Sequence, residues 1–171
     1  QLLIPSLRLQ RKENSLAQAQ QRLILALGQI REVLQSSGGG GIFLDGPILS
    51  CQPVREVLSN AEIAWEARPC LVVFSKPRRE LRRIDWTDSP TNPTGWSSQA
   101  PLLLTAGDLT RLSNDPQGHS RLLANEIDVF RLTHEAGPGL KVGREIDLLA
   151  ETWAGDRHTH WQMHLSLRNS W

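Results

Sequence analysis

Three histidines near the C-terminal end, His158, His160 and His164, come closest in type and spacing to doing chemistry. On a strand all three share one side, where neutral imidazoles can ligate zinc or copper. That side is also the solvent side of the strand, where histidine is ordinary. The expectation is no metal and no cofactor, with these three as the weak candidates.

A second constellation is basic. Lys76-Pro77-Arg78-Arg79-Glu80-Leu81-Arg82-Arg83 sets Lys76, Arg78, Arg79, Arg82 and Arg83 within eight residues, a density that can contact phosphates. Six tryptophans with no tyrosine could add stacking platforms for a single nucleic-acid strand. The plainer reading is a solvated hairpin tip whose charges protect sheet edges, with tryptophan in the core. For catalysis the motifs fail: there is no phosphate-cradling glycine loop with its lysine, no Gly-x-Ser-x-Gly elbow and no His-Glu-x-x-His. The carboxylates are scattered among basic residues. No enzymatic activity and no small-molecule substrate are expected.

Cys51 and Cys70 are the only cysteines, too few for a disulfide scaffold or a four-cysteine zinc site. In an oxidising compartment they can close a loop worth about 3 kcal/mol; in a reducing one they are two small buried thiols.

The elements that position these residues follow from pattern. The 171 residues, 39% hydrophobic and 22% charged, suit one domain, or one domain plus an extended element, and exclude a disordered tail. A net charge of +1 argues against a protein devoted to nucleic acid. No stretch reaches the roughly 18 apolar residues of a spanning helix. The chain opens inside an apolar pattern, Gln1-Leu2-Leu3-Ile4-Pro5, which reads as a cut end. Its character changes at Ser36-Ser37-Gly38-Gly39-Gly40-Gly41, expected to be a flexible joint, natural or engineered. Residues 1–36 carry five Lys/Arg against two Asp/Glu.

From Leu7 to Leu34 strong helix formers dominate, and Leu16, Leu23, Leu27, Ile30 and Leu34 mark an apolar stripe. One continuous helix over residues 6–36 is expected, packed by those five side chains. Residues 37–171 read as mostly strand. Cys70–Ser75 and Leu81–Trp86 form a hairpin, with Ile84 and Trp86 on one face. Asn125–Thr133 alternates, with Ile127, Val129 and Arg131 opposite Asp128, Phe130 and Leu132. Glu145–Trp153 alternates through Ile146, Leu148 and Ala150. Trp161–Arg168 sets Trp161, Met163, Leu165 and Leu167 against Gln162, His164, Ser166 and Arg168, the period-two pattern of a half-wet antiparallel sheet. Pro101–Thr105 reads as a short strand entering a turn of helix at Ala106–Leu112, and Asp88–Pro101 as a loop. The class is α+β: a long amphipathic helix covering an antiparallel sheet.

This order of parts resembles the type IV pilin-like proteins, in particular the larger minor pilins and the J-type (GspJ-like), PilW-like or ComGF-like pseudopilins. The opening "LLIPSLRLQRKENSLAQAQQRLILALGQIREVLQ", with Pro5, is similar to the family's exposed half of its long helix. Leu122, Leu123, Asn125, Ile127 and Phe130 resemble a recurrent strand motif, and Arg168-Asn169 the end of the terminal strand. The resemblance implies a pilin-like α+β fold, with residues 1–36 the exposed helix half and 37–171 a periplasmic sheet domain. It implies a preceding membrane helix anchoring the subunit in the inner membrane, with the domain in the periplasm or on a cell-surface filament. The implied work is non-catalytic: priming or tipping a type IV pilus or a type II secretion filament. Its partners would be other minor pilins and the inner-membrane assembly machinery. An oxidising compartment favours a Cys51–Cys70 disulfide. Two alternatives stand beside this: a competence-pilus subunit for natural transformation, touching DNA through the basic hairpin, and a periplasmic adaptor domain of an envelope complex.

Overall fold

A computed structural model describes residues 3–37, 39–59, 62–136, 142–154 and 157–167, with side chains described over a somewhat smaller set. Strong helix formers carry α1 from Leu3 to Ser37, about 52 Å long at 1.5 Å per residue. Ala19, Leu23, Ala26, Leu27, Ile30, Val33 and Leu34 are buried along it, the three-and-four spacing of one helix face. Of the five residues expected on that face, Leu23, Leu27, Ile30 and Leu34 are buried; the side chain of Leu16 lies outside the described residues. The helix ends where the Ser36 and Ser37 hydroxyls donate back to the Val33 carbonyl at 2.9 and 2.7 Å, competing with the backbone.

The glycine run after it is not a loose joint. Gly39–Gly41 form one buried turn of 3-10 helix, and Gly41 accepts from the Gln52 N–H at 2.8 Å. A Cβ on Gly41 would overlap the Gln52 carbonyl oxygen and the Trp65 ring, so close approach demands glycine there. Gly38 lies outside the described residues.

Ten strands follow. β1 (Ile42–Asp45), β2 (Ile48–Cys51), β5 (Cys70–Ser75), β6 (Glu80–Asp85) and β7 (His119–Asn125) form a five-stranded antiparallel sheet in the order β1-β2-β5-β6-β7. β3 (Val54–Val57) and β4 (Ile63–Trp65) make a separate hairpin. β8 (Val129–Ala136), β9 (Val142–Ala154) and β10 (Arg157–Ser166) form a three-stranded antiparallel sheet.

The protein is α+β, its N-terminal helix packed on antiparallel sheets. Alternation sorts the five-stranded sheet into two apolar faces. One meets α1 through Ile42, Leu49, Cys51, Cys70, Val72, Phe74 and Leu81, joined by Ile146, Leu148, Ala150, Leu165 and Leu167 of the other sheet region. The opposite face holds Phe43, Leu71, Ile84 and Trp86 against α2 (Ala106–Ser113) and Leu104. Thr105 and Asp108 cap α2 reciprocally, the capping-box arrangement.

Several expectations change. The strand expected over Asn125–Thr133 is broken: β7 ends at Asn125, and Glu126 takes a left-handed backbone (φ 62°) before β8 starts at Val129. That turn brings Ile127 into the core together with Phe130 and Leu132, which simple alternation would separate. The short strand expected at Pro101–Thr105 is irregular chain, and Thr105 serves as the helix cap. β1 to β4 carry no clean alternation and were not expected, and β7 was expected only over Leu122–Asn125, through the resemblance and not from alternation. Arg168 and Asn169 lie outside the described residues.

Candidate functional site

The helix offers two unlike faces. Along the edges of its inner face, polar pairs fix it to both sheets: Gln20 Nε2 donates to Thr159 Oγ1 at 3.1 Å, Arg22 reaches Asn125 Oδ1 at 3.5 Å, and Arg121 donates to Gln29 Oε1 at 3.2 Å. Outside, Ile24 and Leu25 are 55% and 60% exposed. Gly28 follows within one turn, with open space where a Cβ would stand. Glycine in a helix interior costs about 0.5–1 kcal/mol relative to alanine, and nothing packed against Gly28 requires it.

The basic hairpin does not make one patch. Lys76 and Arg78 are exposed at the β5–β6 turn. Arg79 takes a left-handed backbone (φ 55°) and donates to Asp128 Oδ2 at 2.9 Å. Asp128 also accepts the Trp153 backbone N–H at 2.7 Å. Arg82 pairs with Glu80 and donates to Ser120 Oγ at 3.0 Å. Arg83 pairs with Asp85 at 2.8 Å. As neighbours on β6, Arg82 and Arg83 also point to opposite faces of the sheet. Three of the five cations are therefore engaged within the chain.

Cys51 and Cys70 are free, buried thiols, so the expected disulfide is not what this structure holds. They do stand directly opposite each other on β2 and β5. The Phe74 N–H donates to the Pro47 carbonyl at 2.9 Å. Counting along the ladder by alternation, Cys51 and Cys70 fall on a hydrogen-bonded pair. Such pairs hold their Cβ atoms near 5.5 Å, whereas a disulfide needs about 3.5–4.5 Å. Burial pushes the Cys51 thiol well up, with Cys70 beside it adding to the effect. Burial likewise raises Cys70 to about 12, against the opposing pull of Arg83. Neither is a nucleophile at neutral pH.

The histidines separate into two groups on the outer face of the three-stranded sheet. His164 Nδ1 lies 2.9 Å from Asp147 Oδ1, and that hydrogen bond raises its pKa. His158 stacks on Trp153 with ring centroids 4.1 Å apart, and His160 lies 5.9 Å from His158. Among the described residues, no group of three or more His, Cys, Asp or Glu side chains is placed to hold a metal ion.

A cleft of about 800 Å³ opens between the β3–β4 hairpin and residues 98–101, floored by Trp65 and Ala64 with Arg55 and Glu62 among its lining residues. Among the described residues its lining holds Ser98 but no His, Cys or Lys. Outside that lining, the buried Gln52 side chain ties neighbouring segments together. It donates to Glu66 and Ser97 carbonyls at 2.7 and 3.1 Å and accepts from the Leu102 N–H at 3.0 Å. No sequence pattern marked Gln52 as a hub, since the partners of its side chain come from two distant segments, at Glu66 and at residues 97–102.

Comparison with known proteins found no matching family model, no similar curated protein and no similar solved structure. No helix among the described residues is long and apolar enough to cross a membrane.

Proposed function

We propose that this chain is the globular part of a minor pilin or pseudopilin, a non-catalytic subunit that primes or tips a type IV pilus or type II secretion filament. The observation that supports it best is the outer face of α1. Ile24 and Leu25 leave large apolar side chains in water on a helix whose other face is already buried. Gly28, one turn further on the same face, gives up local stability where the fold gains nothing. A neighbouring helix seated there would bury the pair, and the missing side chain would let the two backbones approach. In this reading a preceding helix anchors the subunit in the inner membrane and the sheets stand in the periplasm. Partners are sibling minor pilins and the assembly machinery.

The DNA-uptake alternative rests on fewer groups than its sequence suggested, because Arg79, Arg82 and Arg83 have partners within the chain. A photo-crosslinking residue in place of Leu25, in the full-length protein in its own cells, tests the assembly reading. The expected product joins it to a chain with a prepilin cleavage site and an adjoining apolar helix. Crosslinks only to chains without that signature, or none from a folded protein, would overturn it.

A further inference from the structure

We infer that the cleft beside β4 is a docking site for a short extended peptide segment of another protein, which adds to β4 as a further strand; this goes beyond the assembly reading and does not depend on it. The hydrogen-bonding edges of the β3–β4 hairpin carry the argument. In an antiparallel pair, successive residues turn their N–H and C=O alternately toward the partner strand and away from it. The Leu58 N–H donates to the Glu62 carbonyl and the Glu66 N–H to the Pro53 carbonyl, each at 2.8 Å, and Glu56 lies opposite Ala64. Glu62, Ala64 and Glu66 therefore face β3, while Ile63 and Trp65 turn their backbone groups to the other edge. There the Trp65 N–H meets the Ser98 carbonyl at 2.8 Å. Ile63, two residues back on the same edge, meets no backbone partner among the described residues.

The pairing that Trp65 and Ser98 begin is not continued as a ladder, since β4 pairs with β3 alone. The space where it would continue is the cleft of about 800 Å³, lined by Ile63 and by Gln99, Ala100 and Pro101, a size that suits a small ligand or a few residues of peptide. The backbone edge decides which. An N–H and a C=O set along a strand are completed by another extended main chain, whose alternate side chains then select the sequence. A helix already satisfies its own backbone groups and cannot complete this edge. The outer edge of β3 is a poorer template, because its register shifts between Val54 and Glu56 and bulges turn an edge away from pairing. Leu58, Ile63, Ala64 and Pro101 make much of the lining apolar, so the peptide side chain turned inward is aliphatic or aromatic.

The test begins with random heptapeptides displayed on phage and selected on the immobilised chain, with the Ala100→Trp variant as the control surface. Ala100 is exposed, so an indole there fills the cleft without entering the core, and circular dichroism checks the fold. The enriched peptide, once synthesised, should bind with a Kd tighter than about 0.1 mM, and Ala100→Trp should weaken it by about tenfold or more. Ile63→Pro, which removes a donor the fold does not use at a strand edge that tolerates proline, should weaken it as well. Amide exchange followed by NMR reads the pairing itself: the Ile63 N–H should exchange freely in the chain alone and slowly with the peptide bound. Methylating the peptide's backbone nitrogens one at a time should abolish binding at alternate positions only. No enrichment over the control, binding that survives both variants, or an Ile63 amide unchanged by the peptide would overturn the proposal. Dimerisation lost in Ala100→Trp, with no peptide bound, would overturn it in favour of a second copy of this chain.

Discussion

Replacing either of two glycines by alanine should move stability in opposite directions. At Gly41 the added Cβ meets the Gln52 backbone oxygen and comes within 2.6 Å of the Trp65 ring. Trp65 is only 4% exposed and has little room to retreat. Forcing a methyl into such a site costs about 1–3 kcal/mol. Disturbing the 2.8 Å Gln52 N–H to Gly41 bond adds about 0.5–1.5 kcal/mol. The stiffer unfolded chain returns about 0.4–1 kcal/mol. The net expectation for Gly41→Ala is a loss of about 0.5–4 kcal/mol. At Gly28 the same methyl meets nothing, and Gly28→Ala should gain about 0.5–1 kcal/mol from helix propensity. Urea unfolding followed by tryptophan fluorescence and by circular dichroism measures both, with an unchanged slope showing that stability alone has moved. A Gly41→Ala variant within about 0.5 kcal/mol of the parent, or a destabilising Gly28→Ala, would refute the reasoning.

Four further outcomes follow from named contacts. Leu23→Ala, at a fully buried position, should cost about 2–5 kcal/mol in the same assay. Gln52→Leu should cost about 1–3 kcal/mol, because it leaves the part-buried Glu66 and Ser97 carbonyls and Leu102 N–H without this partner. Purified without reductant, the native protein should resist iodoacetamide at Cys51 and Cys70 and take up two labels once unfolded; an intact mass 2 Da lower, with no labelling, would show that β2 and β5 yield to a disulfide after all. Hydrogen bonding to Asp147 raises the folded-state pKa of His164, so its stabilisation is fully present below the unfolded value and is lost as pH rises through the folded one. Asp147→Asn should therefore lower the His164 midpoint in an NMR titration and cost more stability on the acid side than on the alkaline side.

The sequence made the regular elements legible and left the irregular ones hidden. Leu23, Leu27, Ile30 and Leu34 announced the buried face of α1 because a long amphipathic helix repeats one spacing many times. Glu145–Trp153 and the run from Trp161 announced β9 and β10 because each strand has one wet and one buried face. β7 stayed hidden from alternation: it is an edge strand opening on His119, Ser120 and Arg121, all exposed, so its apolar signal begins late. β1 to β4 are three or four residues each, too short for a period to show. The glycine run misled for a different reason. Composition reads four glycines as freedom, whereas here Gly40 and Gly41 provide room for Trp65 and, at Gly41, the Gln52 carbonyl.

Candidate sites were less legible because a cluster in sequence is not a cluster in space. Arg82 and Arg83 are adjacent in the chain yet take opposite faces of β6. His164 belongs with His158 and His160 by spacing but bonds Asp147 instead.

The same distinction separates what α1 does for the fold from what it offers outside. Its inner face and the pairs at Gln20, Arg22 and Gln29 tie it to both the five-stranded and the three-stranded sheets. Sequence there is constrained by packing, and any loss there is a loss of stability. Ile24, Leu25 and Gly28 contribute little to that core, so changes there are free to separate stability from assembly. Gly28→Ala is the sharpest case. If the outer face meets another helix, the methyl that raises the stability of the domain also fills the place where the partner's backbone would come. Crosslinking at Leu25 should then fall in the variant whose unfolding midpoint rises. Crosslinking unchanged by a confirmed stabilising Gly28→Ala would mean that any partner on this face keeps its distance. The glycine would then be a local weakness in the helix, unconnected with assembly.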